Sequence, residues 1–347
     1  MRVVVVGATG NVGTSVLETL ADEPRVESVL GLARRLPQVE APKVEWAQAD
    51  VTRDELAPHF RGADCVVHLA WKIQPSRDGA ALRATNVDGS MRVFLAAAEA
   101  KVPSLVYASS VGAYSPGPKD RLVDESWPTN GIGTSFYSRH KAEVERILDR
   151  FEQDNPGVRV VRLRPGLIFK REAATGIRRL FAGPFLPGFL LRPRLLPVVP
   201  DLPRLRFQGV HSLDVGEAYR LAIVGDARGA FNVAAEPVLD PQELGRLLDA
   251  PPVPVPETVA RAVTALTWRL RLQPTPPGWL DLALNVPLLD VTRARDELGW
   301  EPRHTAGEAL LELLAGMREA AGAPTPPLDP AETSRLREVA AGVGRRE

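Results

Sequence analysis

Four consecutive valines, Val3–Val6, run directly into Gly7-Ala8-Thr9-Gly10-Asn11-Val12-Gly13, and Val12, Val16, Leu17 and Leu20 then follow at helical spacing. A β-branched run of this kind is a buried strand. A glycine turn between a strand and a helix has a narrow use. Its glycines permit a tight turn and let backbone come close to a pyrophosphate, while the helix start offers free N–H groups and partial positive charge. In that strand–turn–helix context the motif points to a dinucleotide site far more strongly than glycines alone.

The strand–helix alternation continues. Strands are expected at Val29–Leu32, Val44–Ala47, Ala63–Leu69, Leu105–Ala108 and Val158–Leu163, and helices at Asn11–Ala21, Gly79–Ala100 and Ser138–Phe151. Such alternation predicts an α/β fold, a doubly wound parallel sheet of Rossmann type with helices on both faces. After Pro165 the pattern loosens: helices are expected at Leu213–Val224, Pro241–Leu248 and Pro256–Leu272, a strand at Ala230–Val233, and a linker at 250–256. The expected division is a nucleotide-binding domain at 1–165, a smaller substrate lobe at 166–324 with segments returning to the core, and a flexible tail at 325–347.

Charge narrows the partners. The 43 basic and 43 acidic residues cancel, which gives no electrostatic reason to expect nucleic acid or an anionic membrane. Cys65 is the single cysteine, so no internal disulfide forms, and no Cys/His pattern has zinc spacing. The apolar stretch Leu180–Val199 is broken by Pro184, Pro187, Pro193 and Pro197. A spanning helix needs about 20 unbroken apolar residues, so a proline-stiffened loop is expected. No signal peptide is read at the start, and a reducing, cytoplasmic setting fits.

Tyr137 and Lys141 stand four apart on an expected helix and so share one face. A tyrosine titrates near 10 and is a poor base at neutral pH, whereas a neighbouring ammonium would favour its phenolate. Tyr137 is thereby a candidate general acid–base. Ser109 and Ser110 follow the Leu105–Ala108 strand, at the carboxyl end where open α/β sheets bind ligands.

With its G-x-x-G-x-x-G loop, Ser110 four residues before Tyr114, and Tyr137-x-x-x-Lys141 in that order, the chain resembles the extended short-chain dehydrogenase/reductase (NAD-dependent epimerase/dehydratase) family. Further matches are Asp50-Val51, like the family's adenine-contacting acid; His68-Leu69-Ala70 beside the cofactor; and Asn86-Val87-Asp88-Gly89-Ser90. Arg164-Pro165-Gly166 is similar to the pocket-shaping turn, and His211 to Asp214 and Leu298-Gly299-Trp300-Glu301-Pro302 are similar to C-terminal motifs of the extended branch. The resemblance implies catalysis by Ser110, Tyr137 and Lys141. It implies NAD(P) held by Gly7, Thr9, Gly10, Asn11, Val12, Gly13, Asp50, Val51, Leu69, Ala70, Asn86, Tyr137, Lys141 and Pro165. Family members that prefer NAD usually carry an acid after the second strand; here stand Arg34 and Arg35, whose guanidiniums suit a 2′-phosphate. NADP is therefore expected over NAD. The resemblance also implies a homodimer through the 79–100 and 136–151 helices; no metal site is expected from the Cys/His spacing.

Other residues receive plainer readings. Asp124 and Glu125 are expected to be solvated or capping, and Cys65 to be a small buried residue. Trp268, Trp279 and Trp300 are expected in core or interface; for Trp71, pocket and core are equally open. Three departures weigh against a nucleotide-sugar substrate: Phe207-Gln208-Gly209-Val210-His211 replaces an arginine-bearing segment and leaves Arg204 and Arg206 displaced; Gly166-Leu167 stands where an asparagine is usual; and Phe181–Val199 is strongly apolar. The expected function is hydride transfer between NADP and the carbonyl or alcohol of a small, largely apolar molecule. The alternatives are a nucleotide-sugar epimerase or dehydratase, and a non-catalytic NAD(P)-binding sensor.

Overall fold

The computed structural model describes residues 1–74, 76–185, 197–331, 338–340 and 342–345. In chain order its first half runs β1 (Arg2–Val6), α1 (Asn11–Ala21), β2 (Ser28–Ala33), β3 (Val44–Gln48), α2 (Ala57–Phe60), β4 (Cys65–His68), α3 (Gly79–Arg83), α4 (Gly89–Glu99), β5 (Ser104–Ala108), β6 (Leu122–Val123), α5 (Phe136–Asp154) and β7 (Arg159–Pro165). The second half adds β8 (Leu167–Phe169), α6 (Ala174–Ile177), β9 (Val199–Asp201), β10 (Gly209–His211), α7 (Ser212–Val224), β11 (Gly229–Val233), α8 (Pro241–Leu248), β12 (Pro252–Pro254), α9 (Glu257–Arg269), α10 (Gly278–Asn285), β13 (Leu288–Leu289), α11 (Thr292–Leu298) and α12 (Ala306–Glu319).

Seven parallel strands form the main sheet in the order β11-β7-β5-β4-β1-β2-β3. β1 lies between β2 and β4, with Val3 opposite both Val29 and Cys65. Alternate residues of each strand bury on opposite faces. Val3, Val5, Cys65, Val67 and Val161 pack on one side with Val16 and Leu20 of α1 and Val215 and Tyr219 of α7. Val4, Val6, Val66, Leu105 and Val160 pack on the other with Phe94 of α4 and Leu148 of α5. This is the doubly wound sheet the alternation predicts, and its order reverses between β1 and β4, where a crevice opens at the carboxyl ends. Burial pushes the Cys65 thiol up to about 11, as suits a small core residue.

Several details differ from the sequence reading. The helical run from 79 is interrupted by a π turn at Ala84–Asp88. The expected linker at 250–256 contains β12, which pairs in parallel with β9. The flexible tail expected at 325–347 is packed at its first described positions. Thr325 and Leu328 are buried, and the Thr325 hydroxyl donates to the Thr9 carbonyl at 2.9 Å, because the apolar Pro326–Leu328 run has a surface to cover. Of the expected loop at 180–199, residues 186–196 lie outside the described residues. Trp300 is buried as expected, and its indole N–H donates to the Asp214 carbonyl at 2.7 Å, joining the two C-terminal motifs. No helix among the described residues is long and apolar enough to cross a membrane.

Candidate active site

The glycine turn closes as its residues require. Gly7 has φ +91°, and a Cβ there would stand 2.7 Å from the Ala70 backbone nitrogen; one at Gly13 would stand 2.5 Å from the Ala8 carbonyl oxygen. At Gly10 the nearest atom would be 3.6 Å away, so backbone is open towards the cavity. Gly10 caps α1 without a side-chain bond, and the buried Asn11 Oδ1 accepts no hydrogen bond. An open glycine and the free N–H groups at the start of an eleven-residue helix fit the pyrophosphate of a dinucleotide, whereas the Asn11 Oδ1 acceptor suits a donor such as a ribose hydroxyl.

Around this cradle lies one cavity of about 750 Å³. Gly7, Thr9, Gly10, Asn11, Val12, Gly13, Arg34, Arg35, Val51, Leu69, Ala70, Ser110, Tyr137, Lys141 and Pro165 all line it, drawn from the ends of six sheet strands and the first turns of α1 and α5. Two expected cofactor residues do not line it. Asp50 Oδ1 instead accepts from the backbone N–H and hydroxyl of Thr52, at 2.9 and 2.7 Å. Burial opposes the Asp50 charge, but the Thr52 donors and Arg34 outweigh it and hold the carboxyl below its ordinary value. Asn86 clasps the backbone of Lys72: its Oδ1 accepts from the N–H at 2.7 Å and its Nδ2 donates to the carbonyl at 2.8 Å. It positions the loop after β4 rather than facing the cavity. His68, at the end of β4, is pushed down to about 3 by burial and by Lys141, and the neutral ring meets the Ser90 hydroxyl at 2.8 Å.

Ser109 and Ser110 divide their work. The Ser109 hydroxyl donates to Glu145 at 2.5 Å, inside the core. Ser110 accepts from the Gly112 N–H at 3.0 Å and shares a hydrogen bond with Tyr137. Gly112 is needed for that approach, since a Cβ there would lie 2.8 Å from the Tyr137 ring. The start of α5 is fixed by Ser138, whose hydroxyl donates to the Gly112 carbonyl at 2.5 Å and accepts from the Ile132 N–H at 2.6 Å.

The electrostatics differ from expectation. Lys141 Nζ donates to the Ala108 carbonyl at 2.6 Å, and burial pushes the ammonium down to about 7. Tyr137 is raised rather than lowered: burial of the phenol outweighs its hydrogen bond with Ser110. Desolvation of an oxygen that must become an anion exceeds the pull of a lysine that is itself poorly charged.

One turn beyond Lys141, Glu145 is fully buried and pairs with two arginines. Arg162 Nη1 approaches its Oε2 at 2.9 Å and Arg164 Nε its Oε1 at 2.9 Å. Although burial disfavours the carboxylate, these guanidiniums and Ser109 pull it down to about 2. Arg164 also donates to the Tyr114 hydroxyl at 3.0 Å, which donates to Asn232 at 2.7 Å. Arg164 therefore braces the strand ends below the cavity. Asp124 is exposed and accepts from Ser126; Glu125 accepts from the Asn232 N–H at 2.7 Å, a structural bond.

The far end of the cavity is apolar. Trp279 packs against the Ile132, Leu282 and Val286 cluster, as expected of a core residue, and also lines this space, its ring centroid 5.0 Å from that of Tyr137 and 4.9 Å from that of Phe181. Trp71 also lines it, edge-on to Tyr137 at 5.8 Å. Leu282, Val286, Pro287 and Leu289 complete the wall. Residues 270–289 offer no motif, so sequence spacing carries no sign of this wall. Arg204 and Arg206 point elsewhere, donating to the carbonyls of Leu284, Gly117 and Lys119 at 2.9–3.0 Å. Arg179 does line the cavity.

Comparisons with known proteins agree with this geometry. The model of the NAD dependent epimerase/dehydratase family matches residues 3–181. An uncharacterized protein of Mycobacterium tuberculosis is 28% identical over 323 residues, which are 92% of this chain and 30% of that protein; the chain thus spans under a third of that relative's length. A sterol-4-alpha-carboxylate 3-dehydrogenase (decarboxylating) of Candida albicans is 27% identical over 190 residues, 51% of this chain and 54% of that one. Among solved structures, the UDP-glucose 4-epimerase of Thermus thermophilus in complex with NAD superposes with a TM-score of 0.68 at 22% identity, covering 92% of this chain and 100% of that one.

Proposed function

The chain belongs to the NAD dependent epimerase/dehydratase family, and from that premise we propose that it is an NADP-preferring oxidoreductase acting on the carbonyl or alcohol of a small, largely apolar molecule. One observation carries the reading: the Ser110–Tyr137 pair stands between the glycine cradle and the apolar wall of Trp279, Leu282 and Val286 in a single cavity.

The roles follow from position. Gly7, Gly10, Gly13 and Asn11 would hold the pyrophosphate, and Arg34 and Arg35 a 2′-phosphate. When bound, the nicotinamide supplies or accepts hydride. The Ser110 hydroxyl holds the substrate oxygen, and the Tyr137 phenol gives that oxygen a proton during reduction or takes one during oxidation. Because burial raises Tyr137, the phenol form prevails at neutral pH, which suits reduction. Trp71, beneath the Lys141 ammonium, fixes that lysine beside the site. We read 1–165 with β11 as the nucleotide-binding unit and 166–324 as the main source of the substrate wall. The exposed Met91 and Leu95 of α4 support a homodimer through α4 and α5.

Likeness to a sterol dehydrogenase and the engagement of Arg204 and Arg206 with backbone carbonyls support an apolar substrate. Arg179 at the cavity wall supports the second reading, a nucleotide-sugar epimerase with a diphosphate to bind. Calorimetric titration of cofactor-stripped protein with NADPH and NADH at fixed salt tests the cofactor half. Tight NADPH with weak NADH is expected; the reverse preference removes Arg34 and Arg35 as readers and favours the epimerase.

A further inference from the structure

Helix α9 is turned inside out. Its thirteen residues include none that is buried, and Val259, Val263, Leu266 and Leu270, spaced four, three and four apart, are 50–60% exposed. An amphipathic helix on a globular protein ordinarily turns such a stripe to the core. Here the inward face carries the polar groups: Arg261 pairs with Asp281 at 2.9 Å, the Thr264 carbonyl accepts from Gln273 at 3.2 Å, and Arg77 stacks on the Trp268 ring at 4.1 Å.

The charge at the carboxyl end of this stripe is one-sided. Glu257 stands at the start of the helix and Arg261 is paired with Asp281, which leaves Arg269 and Arg271 with no acid between Thr258 and Leu280. Arg77 and Arg345 lie at the same end: beyond the effect of burial, Arg271 and Arg345 are near enough to Arg77 to disfavour its charge. The balanced total charge hides this local excess. The segment after α9 is also continuous with the cavity wall. Thr275 donates to the Phe181 carbonyl at 2.9 Å, a Cβ on Gly183 would stand 3.0 Å from Pro274, and Phe181 and Trp279 both line the cavity.

We propose that α9 and its arginine cluster are a docking surface for an anionic lipid bilayer, the helix lying in the headgroup plane with Val259, Val263, Leu266 and Leu270 towards the acyl chains. An exposed apolar stripe flanked by arginines has the composition of an interfacial helix, and anionic headgroups complement the guanidiniums. This departs from the expectation that no membrane is a partner, because binding depends on the local field rather than the net charge. The docking does not depend on which reaction the site performs.

The test uses the full-length protein and sedimentation with two kinds of vesicle, phosphatidylcholine alone and equal parts phosphatidylcholine and phosphatidylglycerol. The protein should bind the anionic vesicles on the order of tenfold more tightly, and added salt should release it. The pairs Leu266→Glu with Leu270→Glu, and Arg269→Glu with Arg271→Glu, should each lower binding on the order of tenfold while leaving Tm and dinucleotide affinity unchanged. Failure of the parent protein to bind anionic vesicles overturns the proposal, as does equal binding by the variants. So does a dimer, seen by light scattering, that Leu266→Glu with Leu270→Glu splits into monomers, for the stripe would then belong to a second copy.

Discussion

The Lys141 ammonium stands 3.6 Å from the centroid of the Trp71 ring, and 5.8 Å from that of Tyr137. The lysine is thus held on an aromatic face and a backbone carbonyl, both of which suit an ammonium, while its burial favours the neutral form.

Stability should record that placement. The folded Lys141 titrates at about 7, against an ordinary 10.5. Between those values the unfolded chain binds more protons than the folded one, so stability from this group rises with pH across that window and is lowest below 7. Lys141→Met should flatten this dependence. Urea unfolding at several pH values from 7 to about 10 measures the slope; an unchanged slope contradicts the buried setting of Lys141.

Glu145 gives a slope of the same sign in a lower window. Its folded carboxyl titrates at about 2 against 4.5, so its contribution is complete above 4.5 and lost as pH falls towards 2. Glu145→Gln leaves Arg164 buried beside a neutral group, while Arg162 keeps Asp149 and Glu152, and should cost about 3 kcal/mol. Chemical denaturation at neutral pH gives the difference, which should shrink in acid.

Tyr137→Phe keeps the ring against Trp279 and removes only the oxygen that moves the proton. Turnover should fall about 10²–10⁴-fold, with dinucleotide affinity nearly unchanged by calorimetry. Activity close to that of the parent would remove Tyr137 from the chemistry.

Arg34→Ala with Arg35→Ala should weaken NADPH by about tenfold or more and leave NADH almost unaffected. Equal losses for both cofactors would mean that the two arginines act on the fold and not on a 2′-phosphate.

Much of this site is legible in the sequence. The valine run, the glycine spacing and the Tyr137–Lys141 interval are local rules, and local rules bring those residues into one cavity. Trp279 escapes them because it reaches Tyr137 only through the tertiary course of α10. Asp50 and Asn86 match motifs, but a motif does not say where a side chain points; both turn to backbone or neighbouring donors. The direction of the Tyr137 shift needs burial, which spacing does not contain. The outward stripe of α9 has the same periodicity as a core-facing one, so only exposure separates the two.

Net redox chemistry through Tyr137 on an apolar substrate leaves a direct trace in the cofactor. The most direct measurement follows reduced-nicotinamide absorbance while the protein turns over apolar ketones and alcohols, beside UDP-sugars as the competing class. The expected result is stoichiometric oxidation or reduction of NADP(H) with an apolar compound, abolished in Tyr137→Phe. Interconversion of UDP-sugars with no net change in cofactor, or turnover that survives Tyr137→Phe, would contradict it.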